Sequence, residues 1–165
     1  MAYSIKRHLA FNEWANTKIA DVLREVEDRI FFQENKSSFP SIAKTVLHIW
    51  DAQHIWVNRM QGSSVSKWPS ASFKGSKDDS LNGLIESSSE LSSFLLSKSK
   101  SFLSTPYPYK TMKGEPFEST YEDTLFHVVN HGTYHRGQII TMLREAGLKQ
   151  LPSTDLIHYL RSVAK

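Results

Sequence analysis

Apolar residues recur along this chain at spacings of three and four. From residue 4 to about residue 26, Ile5, Leu9, Ile19, Val22 and Leu23 follow that rhythm, with Phe11 and Trp14 adding bulk. The pattern predicts an amphipathic helix with Ser4 as its N-cap. Ser41 opens a second helix, SIAKTVLHIWDAQHIWVNRMQG, bounded by Pro40 and Gly62, both good stops. A third runs from about 79 to 100 on Leu81, Leu84, Ile85, Leu91, Phe94 and Leu95; its serines make it a weaker helix former. The fourth starts at Thr120, where Thr120-Tyr-Glu-Asp123 resembles a capping box with Asp in place of Glu, and ends at Gly147. A short fifth, DLIHYLRSVA, follows.

Three stretches break the helical period. Residues 27–40 read as a connection closed by SFPS, and residues 62–79 as a loop rich in serine and glycine. Residues 105–119, TPYPYKTMKGEPFES, predict a short hairpin or an irregular loop before the fourth helix. No repeat of solenoid period is present. The expected fold is all-α: a four-helix bundle of the up-down-down-up type with a short C-terminal fifth helix, forming one domain over residues 1–165.

Composition narrows the function classes. A chain of 165 residues buries most of its apolar surface without covalent staples. It contains no cysteine, which excludes disulfides, zinc–cysteine sites and a cysteine nucleophile together. That is compatible with a reducing cytoplasm, the expected location. No apolar run is long enough for a transmembrane helix. The first twenty residues carry charge throughout and read as a mature helix rather than a signal peptide. The formal charge is +3, from scattered basic residues without an arginine-rich stripe, so no nucleic-acid surface is read from it.

The candidate chemistry lies in HVVNHGTYHRG, which sets His127, His131 and His135 at four-residue steps. Residues four apart share a helix face, so either neighbouring pair can bind one ion. All three cannot: His127 and His135 lie roughly 12 Å apart along the axis, whereas zinc–nitrogen bonds are about 2.0–2.1 Å. On a helical wheel centred on Leu125, the core face also holds Leu143, Gly132, Ile139, Val129 and Val128. His135 lies about 80° and His131 about 120° from that centre, on one flank, and His127 about 160°. A buried site therefore prefers His131 and His135. A third ligand must come from elsewhere, and the second helix offers His48, at the edge of its core face, and His54, on its polar side. His8 and His158 have no partner at ligand spacing. Arg136 reads as a helix-surface or interface charge, and Tyr134 as a packing or dimer-contact residue. Gly132, on the core face, permits close helix approach or leaves room for a ligand.

With these residues in view, HVVNHGTYHRGQIITMLREAG resembles the signature helix of the DinB (damage-inducible) family of small four-helix metalloproteins. TVLHIWDAQHIWVNRMQG is similar to that family's second helix, AFNEWANTKI to its first and PSTDLIHYLR to its C-terminal end, in order across the whole chain. The resemblance implies a homodimer and one divalent metal held by His48, His131 and His135. The metal expected is zinc or nickel, with iron and manganese also accepting imidazole. An open position on such an ion points to chemistry rather than structure. The resemblance implies a metal-dependent enzyme that activates a low-molecular-weight thiol, of S-transferase type, or a water, acting on a small molecule. The alternatives are a hydrolase and a noncatalytic, stress-induced metal- or ligand-binding dimer. A DNA-associated role, suggested by the family name alone, finds no support in the charge pattern. No side chain stands out as a general base.

Overall fold

The computed structural model describes residues 4–63 and 67–164; part of the loop expected at 62–79 lies outside them. α1 (Ile5–Glu25) starts where Ser4 accepts a hydrogen bond from the Arg7 N–H. A short helix, α2 (Asp28–Phe32), interrupts the expected connection and places Phe31 wholly inside the core. α3 (Ile42–Met60) is capped by Ser41, and a 3-10 turn at Pro69–Ser72 follows. α4 (Lys77–Leu96) begins two residues earlier than expected, because Ser76 and Asp79 form a complete capping box. It also stops early. Ser97 and Lys98 offer no apolar anchor, and Ser99 caps a separate turn, α5 (Lys100–Leu103).

β1 (Pro106–Lys110) and β2 (Pro116–Thr120) form the antiparallel hairpin that the sequence left open, with Pro106 opposite Thr120. Thr120 then caps α6 (Tyr121–Glu145), accepting from the Asp123 N–H and donating to its carboxylate. Gly62 and Gly147, both at positive φ, end α3 and α6 as the sequence suggested. α7 (Leu156–Ser162) completes the chain.

The architecture is mostly helical. α1 and α3 each pack against both α4 and α6, so the four long helices form a ring. Contacting pairs give their directions. His8 meets Phe126 and Asn16 meets Arg136, so α1 and α6 run in the same sense. His48 meets His131 while Trp56 meets His127, so α3 opposes α6. Asn16 bonds to Ser88 and Arg24 to Asn82, so α4 opposes α1. α3 and α4 approach closely because Gly83 leaves space for the Trp50 ring: a Cβ there would lie 2.5 Å from it.

Of the serines that weaken α4 as a helix, Ser80, Ser87, Ser88 and Ser92 are buried, and Ser89 and Ser93 are exposed. Ser87 and Ser88 bond to the Leu84 carbonyl and to side chains of neighbouring helices. The core is divided in two. One apolar cluster gathers Ile19, Leu23, Ile49, Leu84, Ile139 and Leu143; the other gathers Leu9, Val57, Leu91, Leu95, Leu125 and Val129. Asn12, Asn16, Gln53, Ser87, Ser88 and Arg136 are buried polar residues whose positions along the helices fall between the two. Among the described residues, no helix is long and apolar enough to cross a membrane.

Candidate metal centre

α6 buries the face that its wheel predicted: Leu125, Val128, Val129, Ile139 and Leu143 are each no more than 2% exposed. That rotation turns His131 and His135 toward α3, where His48 stands at the edge of the packed face. His48, His131 and His135 each offer one nitrogen, and the three atoms lie within 4.8 Å of one another. His48 Nε2 and His131 Nε2 are 2.9 Å apart. The ring centroids lie 4.4 to 4.7 Å from one another. No fourth histidine, aspartate or glutamate joins the cluster among the described residues.

Neighbouring groups fix the rings. His135 Nδ1 lies 2.7 Å from Gln138 Oε1. A carbonyl oxygen only accepts, so Nδ1 carries the proton and Nε2 keeps its lone pair for the cluster. Phe39, from the segment before α3, stacks on His48 at 3.9 Å and meets His135 edge-on at 5.4 Å. His131 touches His127 on its other side, and His127 in turn meets Trp56. His54 is elsewhere: its ring approaches Asn58 on the same helix. His127 is exposed and stands outside the cluster.

The electrostatics favour neutral imidazoles. Burial, and then the neighbouring His135, hold the His48 pKa down to about 4. Burial, with His135, His48 and His127 around it, holds His131 at about 3. Burial lowers His135 as well, against the raising effect of its Gln138 bond. Three neutral nitrogen donors within a few ångströms are what a divalent transition metal requires. Two zinc–nitrogen bonds in a tetrahedral arrangement separate their nitrogens by about 3.3 Å, within a few tenths of the His48–His131 distance. The residues therefore fit a bound ion.

Three features escaped the sequence reading. Gln138 lies three residues beyond His135, and that spacing was the available signal. Phe39 reaches the site from a segment read only as a connection, and nothing local announces it. Arg136 is neither a surface nor an interface charge: it is 0% exposed. The wheel held the clue, since Arg136 falls about 20° from the core centre. Burial lowers its pKa to about 10, so it stays protonated at neutral pH. Tyr134, by contrast, is 62% exposed on the outer side, as its position on the wheel suggested.

Away from the histidines, a cavity of about 520 Å³ opens between the end of α3 and the hairpin, lined by Arg59, Tyr109, Lys110, Met112 and Phe117 among others. Trp56 contacts both His127 and Tyr109, and the Arg59 guanidinium lies over the Trp56 and Tyr109 rings. An aromatic wall thus joins the cavity to the edge of the histidine cluster.

Comparison with known proteins bears on the family and the fold. The DinB family model matches residues 1–163. Protein DinB of Bacillus subtilis (strain 168) is 33% identical over 156 residues, covering 91% of this chain and 90% of that protein. The crystal structure of a DinB-like protein from Bacillus cereus ATCC 10987 superposes with a TM-score of 0.69 at 19% identity, over 93% of this chain and 99% of the other. A candidate DinB family member from Exiguobacterium sibiricum 255-15 gives 0.66 at 12% identity, over 93% and 100%. At these identities the two structures speak for the fold.

Proposed function

The chain belongs to the DinB family, and from that premise we propose that it is a metal-dependent enzyme. His48, His131 and His135 hold one divalent transition metal, zinc or nickel before iron or manganese, and the site activates a low-molecular-weight thiol for S-transfer. The observation that carries this reading is the cluster of three imidazole nitrogens with no further protein ligand beside them among the described residues. Structural zinc sites are usually closed by four protein ligands; three leave a position for substrate. When bound, the ion supplies Lewis acidity that lowers the pKa of a thiol or water placed against it.

The chain's own residues do the rest. Gln138 holds the His135 ring in the tautomer that presents Nε2. Phe39 covers His48 and His135 and limits solvent on that side. The aromatic wall of Trp56 and Tyr109 leads to a cavity suited to the body of a small substrate. The thiol reading is placed before hydrolysis because the cluster contains no aspartate or glutamate among the described residues, and a general base for an attacking water must stand within hydrogen-bond reach of it.

Small thiols are kept reduced in the cytoplasm, and a chain without cysteine is at home there. We place the enzyme in that compartment as a homodimer. Exposed Phe126 and Tyr134 on α6 are the first candidates for the contact.

The test is turnover by metal-loaded protein with small thiols and an aryl halide electrophile, in parallel with a panel of esters and amides. Thiol-dependent S–C bond formation that disappears in His131→Ala supports the proposal. Ester hydrolysis without thiol replaces it with the hydrolase reading. Binding without turnover in either panel replaces it with a noncatalytic binding dimer.

A further inference from the structure

The stretch HGTYHR divides two tasks around α6. His131 and His135 face His48. One residue further on, and about 100° around the helix, Gly132 and Arg136 face the interior. The Arg136 Nη1 donates to Asn16 Oδ1 at 2.8 Å and to Asn12 Oδ1 at 3.4 Å, and Nη2 donates to Thr133 Oγ1 at 2.8 Å. From there the bonds continue. Asn16 Nδ2 donates to Ser88 Oγ, Asn12 Nδ2 to Gln53 Oε1, and Gln53 Nε2 to Ser87 Oγ, each at 2.8 Å. One connected network therefore touches α1, α3, α4 and α6.

The guanidinium occupies space that Gly132 leaves open. A Cβ at residue 132 would lie 2.9 Å from Arg136 Nη1 and 3.5 Å from Asn12 Oδ1. No carboxylate pairs with Arg136 among the described residues, and its buried Nε has no hydrogen-bond partner there. A well-packed apolar layer is often at least as stable as buried charge, so stability alone does not account for this one. What a directional layer adds is specificity: its bonds close in one register only.

Register matters here. Sliding α6 by one residue moves it about 1.5 Å and turns it about 100°, while a functional constellation must be held within about 0.5 Å. On α6 the network adjoins the histidines, since Gly132 follows His131 and Arg136 follows His135, while on α3 Gln53 stands five residues beyond His48.

We infer that Arg136, seated over Gly132 and bonded to Asn12 and Asn16, is a positioning residue that fixes the rotation and register of α6, and so keeps His131 and His135 opposite His48. The inference rests on the metal reading proposed above.

The experiment compares Gly132→Ala and Arg136→Met with the parent and with Leu95→Ala, a buried apolar control outside the network. Cobalt(II) is the probe, read by its affinity and its visible d–d absorption, with the urea midpoint of the metal-free protein in parallel. Both network variants are expected to keep helical circular dichroism, to bind cobalt(II) at least tenfold more weakly and to shift its visible bands. Gly132→Ala should do so although alanine is the better helix former. Leu95→Ala should lower the urea midpoint with cobalt(II) affinity within twofold of the parent. If Arg136→Met does not fold, Gly132→Ala decides. Parent-like affinity and spectrum in Gly132→Ala overturn the inference and leave the metal reading standing. A parent that takes up no cobalt(II) overturns the metal reading and the inference with it.

Discussion

Replacing Gln138 with leucine removes the one side chain, among the described residues, that hydrogen-bonds to a histidine of the cluster from outside it. The His135 Nδ1–Gln138 Oε1 contact is short, 2.7 Å. Without that acceptor the Nδ1 proton is no longer held in place, the ring turns more freely, and the tautomer presenting Nε2 loses its preference. Polar groups that orient metal-binding histidines typically contribute tenfold to a hundredfold in affinity, about 1.4 to 2.7 kcal/mol. The lower end applies here. Gln138 is half-buried, so water can take the place of its carbonyl, and a neutral hydrogen bond contributes about 0.5–1.5 kcal/mol net. The expected result is a loss of zinc affinity of about tenfold, read by competition with a chromophoric chelator at pH 7. Gln138→Glu offers a stronger acceptor at the same reach and should match or exceed the parent. Zinc affinity in Gln138→Leu within twofold of the parent would refute the reasoning that Gln138 orients the ring.

Two further outcomes follow from the packing and the charges. Acid should destabilise the metal-free protein. The native pKa values of His48 and His131, about 4 and about 3, lie below the ordinary 6.5, so their contribution is complete above pH 6.5 and is lost as pH falls toward those values. The urea midpoint should drop between pH 7 and pH 5, and the drop should shrink in the His48→Ala/His131→Ala double variant. Burial raises the Asp51 carboxyl, which works in the opposite sense, and the double variant separates the two; an unchanged midpoint in the parent contradicts the histidine account. Gly83→Ala drives a Cβ to 2.5 Å from the Trp50 ring. Overpacking of about 1–3 kcal/mol against a helix-propensity gain of about 1 kcal/mol leaves a net loss on unfolding by urea, with altered tryptophan fluorescence; a stabilised variant contradicts the close α3–α4 approach.

Much of this molecule was legible in its hydrophobic rhythm, for a physical reason. The four long helices each bury one stripe, so their period of about 3.6 survives in the sequence. The α6 wheel placed His131 and His135 on one flank because a helix fixes neighbouring directions rigidly. His48 took more inference, since its choice over His54 depended on which edge of α3 packs. Contacts made across the fold were not legible. Phe39 stacks on His48 only because α2 and the segment after it fold back over the bundle, and no local pattern encodes that return. Arg136 was misjudged by its charge rather than by its position. The wheel set it beside Leu125 and Leu143, where a charge can exist only with buried partners, and Asn12 and Asn16 on α1, with Thr133 on its own helix, were those partners. Ser76 and Asp79 also had the spacing of a complete cap, but weak hydrophobic signal around α4 hid its start.

The central claim is that His48, His131 and His135 hold one metal ion. The most direct test is elemental analysis of untagged protein prepared without chelator, alongside single alanine variants at all five histidines of α3 and α6. One equivalent of a transition metal is expected in the parent, in His54→Ala and in His127→Ala. It should be absent from His131→Ala and His135→Ala and weakened or lost in His48→Ala. Metal lost from His54→Ala but retained in His48→Ala, or a parent that neither contains nor takes up zinc or nickel, would contradict the account.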